Sequence, residues 1–148
     1  MREPMRSLPA LACLTGIIGI QSSAFGDPAT DFMLHCMGCH GAHAEGVPGK
    51  VPPLAQSLGE FMRSPAGRNY VLRVPGAANS MLSDERLVAV LNWIAARFSG
   101  GEAVAAVRQF TPQEVTAARH FPLVSVQVAR RQVVQELATS GPAPASDY

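Results

Sequence analysis

Cys36, Cys39 and His40 stand in the pattern C-x-x-C-H. Two thiols three positions apart lie on one side of a helical turn. They are spaced to add to the two vinyl groups along one porphyrin edge, each forming a thioether. The adjacent imidazole of His40 is then placed to bind the iron as its proximal ligand. Gly38, between the cysteines, carries no side chain to crowd a macrocycle. The pattern is the attachment signature of a c-type haem.

Two other chemistries use a C-x-x-C pair. A zinc ribbon needs a second pair of ligands, and the remaining cysteine, Cys13, lies far from the motif in an N-terminal apolar run. His35 and His43 flank the motif, but a Cys2His2 cluster built from them is too compressed for the usual finger spacing. A redox dithiol of the thioredoxin kind expects a βαβ pattern nearby, and none is present. Haem attachment is the preferred reading.

A haem that only carries electrons usually has its second axial position filled, and a Met thioether there raises the reduction potential. Met33 and Met37 lie in or beside the attachment helix and cannot reach the opposite face. Met81 precedes the clearest helix of the chain and is the preferred sixth ligand, although it stands close to that helix's cap. Met62 is the reserve, and an empty position stays open. His35 and His43 are too near the motif to serve, and His120 is remote. Any of these methionines could also fill an apolar gap.

The elements around these residues are helices. The 148 residues allow one domain, and 12 prolines with 13 glycines place many turns between short helices. Asp27-Pro28 starts the helix that leads through Phe32 to Cys36. The glycines and prolines from Gly41 to Pro53 require a loop, and a carbonyl near Val51-Pro52-Pro53-Leu54 is placed to accept the second ring N–H of His40. Residues 55–63 read as a short helix ended by Ser64-Pro65-Ala66-Gly67. Residues 68–74 read as a further helix or an extended piece, and Pro75-Gly76 as a turn. Ser83 caps a helix with apolar positions at Leu87, Val90, Leu91, Ile94 and Phe98, stopped by Gly100-Gly101. Trp93 lies off that stripe, and its expected place is core packing against the first helix or the haem edge.

Arg2 and Arg6, the apolar run Leu8 to Ile20, and small residues around Ala24 and Gly26 read as a secretory signal peptide. The run is too short to span a bilayer, so no stable membrane span is expected after processing. From Asp27 onward there are ten Lys/Arg and ten Asp/Glu. A neutral chain of this kind does not suggest nucleic acid as a partner, and haem propionates would make it slightly acidic.

With these pieces assembled, the segment from Asp27 to Phe98 resembles a small class I monohaem cytochrome c of the bacterial periplasm. The resemblance rests on Cys36 to His40, on Val51-Pro52-Pro53-Leu54, and on Leu82 to Leu87 leading into Leu91-Asn92-Trp93-Ile94. It implies an all-α fold around one covalent haem c, with the first and last core helices crossing near the haem edge. It also implies electron transfer from a periplasmic dehydrogenase towards an oxidase or another cytochrome, with no catalysis by the chain itself. The short spacing from Met81 to Ser83 departs from the longer loop usual in that family.

The expected organisation is a signal peptide over 1–26, a haem domain over 27–100, a C-terminal helical extension over 101–138 and a disordered tail over 139–148. Thr111-Pro112-Gln113-Glu114 opens one helix of the extension, which runs to Arg119. Val124 to Ala138 forms the other. The extension is expected to wrap the haem domain or to dock a partner. Two further functions stay open: a haem subunit held permanently in a dehydrogenase complex, and a sensor or ligand-binding protein with an open axial site.

Overall fold

Prolines mark where four of the helices begin. In the computed structural model, which describes residues 26–100 and 107–147, helix α1 spans Pro28–His35, α4 Pro65–Arg73, α5 Pro75–Ala78 and α7 Pro112–Arg119. The missing proline N–H falls where a helix has no internal partner to offer it. Three of the four are preceded by a side-chain cap. Asp27 accepts from the Thr30 amide at 3.1 Å, Ser64 from Gly67 at 2.9 Å, and Thr111 from Glu114 at 3.4 Å. Glu114 returns the bond to the Thr111 amide at 3.0 Å, closing the box expected there. The signal segment and Cys13 lie outside the described residues.

The remaining helices are α2, Met37–His40; α3, Ser57–Met62; α6, Asp84–Phe98; and α8, Val126–Ala138. Ser83 caps α6 through the Arg86 amide at 3.3 Å, as the sequence predicts. Two local expectations change. Ser64 to Gly67 does not simply end a helix but starts α4, because Ser64 supplies the cap and Pro65 the first position. Gly67 is glycine for packing: a Cβ there would stand 2.1 Å from the Phe61 carbonyl oxygen. Pro75-Gly76 is not an open turn but the first half of the single-turn α5, which buries Ala77 and Ala78.

All described helices contribute to one architecture, an all-α fold. Helix α1 packs on α6. Phe32, 2% exposed, has its ring centre 5.6 Å from Trp93 and 5.5 Å from Phe98. Trp93 therefore packs against the first helix. Beside this cluster the fully buried Asp31 pairs with Arg86, whose Nε donates to Oδ2 at 3.1 Å. A buried carboxylate needs such a partner to remain charged.

The extension shares this core. Phe110, Val115, Ala118, Val134 and Leu137 join the same buried cluster as Phe32, Leu58 and Ile94. Helix α7 packs on α4 and α6, and α8 on α4. Asn92 of α6 donates to the Phe110 carbonyl at 3.1 Å and accepts from its amide at 2.9 Å. Arg68 of α4 donates to Glu114 from Nε at 2.9 Å and from Nη2 at 2.8 Å. The segment 139–147, expected as a disordered tail, has no helix but makes contacts: Arg63 donates to the Pro142 carbonyl and Arg130 to that of Ala145. Among the described residues, no helix is long and apolar enough to cross a membrane.

Candidate functional site

Helix α1 delivers the cysteines. Its last turn closes through the Cys36 amide to the Phe32 carbonyl at 2.9 Å, so the buried Phe32 anchors the first thiol. Cys36 itself leaves helical geometry, with φ −124°, and the chain re-enters a single turn, α2. The amides of Cys39 and His40 both return to the Cys36 carbonyl, at 3.2 and 3.0 Å. Cys36, Cys39 and His40 are thereby held on one tight turn. Both thiols are free; Cys36 is half-buried and Cys39 exposed.

Burial pushes the Cys36 thiol up to about 11, and the Asp31 carboxylate adds to the rise. It remains protonated at neutral pH, so it does not behave as a low-pKa redox thiol. A Cβ at Gly38 would meet nothing within 4 Å, so the polypeptide leaves the space beside the two thiols open.

The loop after α2 orients His40. Its Nδ1 lies 3.0 Å from the Pro52 carbonyl oxygen. A carbonyl can only accept, so Nδ1 carries the hydrogen and Nε2 keeps its lone pair. Burial lowers the His40 pKa, against an opposing push from this bond. The neutral ring that results is the form that binds metals. The Pro52 carbonyl is placed by a narrow loop in which Val47 and Val51 exchange two amide bonds of 2.8 Å. Gly46 makes the approach possible. Its φ is +71°, and a Cβ there would stand 2.4 Å from the Val51 oxygen.

The two methionine candidates sit in different surroundings. Met62, in α3, is 4% exposed and part of the apolar core. Met81 is 91% exposed on the short segment between α5 and α6. Leu82, its neighbour, is buried and anchors the segment. His35 and His43 are both exposed. Among the described residues, no three His, Cys, Asp or Glu side chains converge as they would around a bare ion. The donor set therefore suits a macrocycle that brings its own four nitrogens, with two thiols for attachment and one neutral imidazole for the iron. A cavity of about 550 Å³ borders the loop that carries Pro52, between Val51, Pro53 and Ser57 on one side and Pro142 and Pro144 on the other.

Sequence reading missed three residues that build this region. Asp31 and Arg86 tie α1 to α6, and Arg119 grips the Met81 segment. Its guanidinium donates to the carbonyls of Ala78 at 3.4 Å, Ser80, and Leu82 at 3.0 Å, and to Asp84 at 2.7 Å. A charged residue in an apolar helix face was the only local signal for Asp31, and Arg119 had none.

The fold and the site define an all-α protein with a thiol–thiol–imidazole turn backed by a carbonyl. No family model matches the chain. It is 30% identical over 141 residues to cytochrome c-552 from one strain of Thermus thermophilus, across 83% of this chain and 92% of that protein. A second Thermus thermophilus cytochrome c-552 is 32% identical over 111 residues, across 63% of this chain and 85% of its own length. The chain belongs to the cytochrome c family. A match over 83% of the chain is longer than residues 1–100 and so includes part of the extension.

Proposed function

We propose that this protein is an exported electron carrier of the class I monohaem type, with one haem c bonded to Cys36 and Cys39. His40, through its imidazole, and Met81, through its thioether, would hold the iron. The bound haem would supply a reversible one-electron couple at its iron; the chain supplies attachment and orientation. Cys36 and Cys39 provide the covalent tether. The Pro52 carbonyl holds the His40 ring in one tautomer, and Phe32 fixes the turn from below. The donor is read as a periplasmic dehydrogenase and the acceptor as an oxidase or another cytochrome. Residues 1–26 act as the export signal, removed from the working protein, which resides in the periplasm.

The observation that carries this reading is the His40 Nδ1 to Pro52 oxygen bond beside the two free thiols. Expression with periplasmic haem attachment tests it. The denatured protein should keep its pigment and show the mass of one haem, and a Cys36→Ala, Cys39→Ala double variant should carry none. Pigment that separates on denaturation would defeat the proposal. Met81→Ala should abolish the thioether-to-iron absorption band of the oxidised form.

A second reading has its own observation. Phe121, Val124 and Val128 of the extension are 67%, 99% and 46% exposed, which suits a subunit held in a larger redox complex. Co-purification with a dehydrogenase through high salt would favour it over the free carrier.

A further inference from the structure

The extension reaches the Met81 segment through one side chain. Arg119 stands in the last turn of α7, with its side chain 15% exposed. Its three nitrogens reach the carbonyls of Ala78, Ser80 and Leu82, so acceptors on both sides of Met81 are held by a single planar cation. Asp84, in the first turn of α6, accepts from the same guanidinium at 2.7 Å and closes the arrangement. The segment's other restraints are the buried Leu82 side chain, the Leu82 amide donating to Ser80 Oγ at 3.2 Å, and the amides of Asn79 and Ser80 returning to Pro75 and Ala77 at 3.0 and 3.1 Å. A lysine could replace the charge but not the fan of donors, because its ammonium is a point and the guanidinium is a rigid fork.

From this geometry we infer that Arg119 is the positioning residue for Met81: the C-terminal extension, through one guanidinium, sets how firmly the thioether is presented as an axial ligand. The inference rests on the assignment of Met81 made above. The short spacing before the Ser83 cap then acquires a reason. A long loop could aim its sulfur by bending, whereas a short one must be held in a single backbone shape, and a residue distant in sequence does the holding. Charged hydrogen bonds to backbone carbonyls are strong enough for the task.

The test uses the full mature holoprotein with Arg119→Gln, Arg119→Lys, Met81→Ala and Leu137→Ala. Leu137, fully buried in α8, serves as a control that loosens the extension without touching Arg119. Two rates are read: amide hydrogen exchange in residues 78–84, and entry of imidazole at the oxidised iron followed by loss of the thioether band. Both Arg119 variants should speed both rates about tenfold or more, while Leu137→Ala lowers the melting temperature and leaves them near wild type. Wild-type rates in Arg119→Gln would overturn the inference, and so would equal acceleration by Leu137→Ala. Full rescue by Lys would also overturn it, since charge alone would then suffice. Where the Gln variant does not fold, the Lys variant carries the comparison. Retention of the band in Met81→Ala would defeat the ligand assignment and the inference together, a failure that this variant alone reveals.

Discussion

The Nδ1 atom of His40 donates to the Pro52 carbonyl oxygen across 3.0 Å. The acceptor belongs to the backbone, so substituting the residue that carries it does not remove it. Pro52→Ala should keep the haem absorption spectrum of the wild type while losing about 0.5–1 kcal/mol of stability through the freer unfolded chain. On the ligand assignment proposed above, His40→Ala should instead change the haem spectrum strongly, because the imidazole itself is lost. A large spectral shift in Pro52→Ala would show that proline itself, not its carbonyl, matters.

Arg86 and Asp31 should respond unequally to mutation. Asp31 is fully buried, whereas the Arg86 side chain is 39% exposed. Arg86→Leu strands a buried carboxylate and should be the more destabilising of the two. Asp31→Asn leaves a guanidinium that water can reach and should cost less, about 1 kcal/mol. Urea unfolding of both variants decides the order, and a reversed order would contradict the burial.

Glu114 should impose an acid limit on the extension. Hydrogen bonds from Arg68 are the largest cause holding its carboxyl down at about 2, against an ordinary 4.5. A depressed carboxyl contributes stability that is fully present above the unfolded value and is lost as pH falls through the folded one. The loss should therefore run from about pH 4.5 down to about pH 2. Glu114→Gln should be less stable by about 2 kcal/mol at pH 7 and should show a flatter stability profile across that window. Thermal melts from pH 7 to pH 2 measure it.

Truncation after Gly100 should destabilise what remains. It removes Phe110, Val115, Val134 and Leu137 from a shared core and leaves Arg68, with a side chain 7% exposed, without Glu114. A fall of more than about 3 kcal/mol is expected. An unchanged melting temperature would mean that the extension adds nothing to the stability of the part up to Gly100.

What was legible in the sequence was local. Cys36, Cys39 and His40 are close enough in the chain for their spacing to place them on one turn, though not to show that Cys36 breaks from the helix before it. The caps at Asp27, Ser83 and Thr111 bond to amides three residues on, a range that a short window of sequence spans. Even there, Pro65 and Pro75 were read as breaks when each opens a helix, because a proline suits the first turn as well as an ending. The relationships that needed the tertiary fold join residues far apart in the chain: Asp31 to Arg86, Arg68 to Glu114, and Arg119 to the carbonyls around Met81. No periodicity encodes which arginine meets which carboxylate, since these partners meet only once α1, α4, α6 and α7 have buried their apolar faces together. The same packing gave the two methionines different surroundings, Met62 in the core and Met81 at the surface, a contrast that the sequence order behind the preference for Met81 over Met62 did not contain.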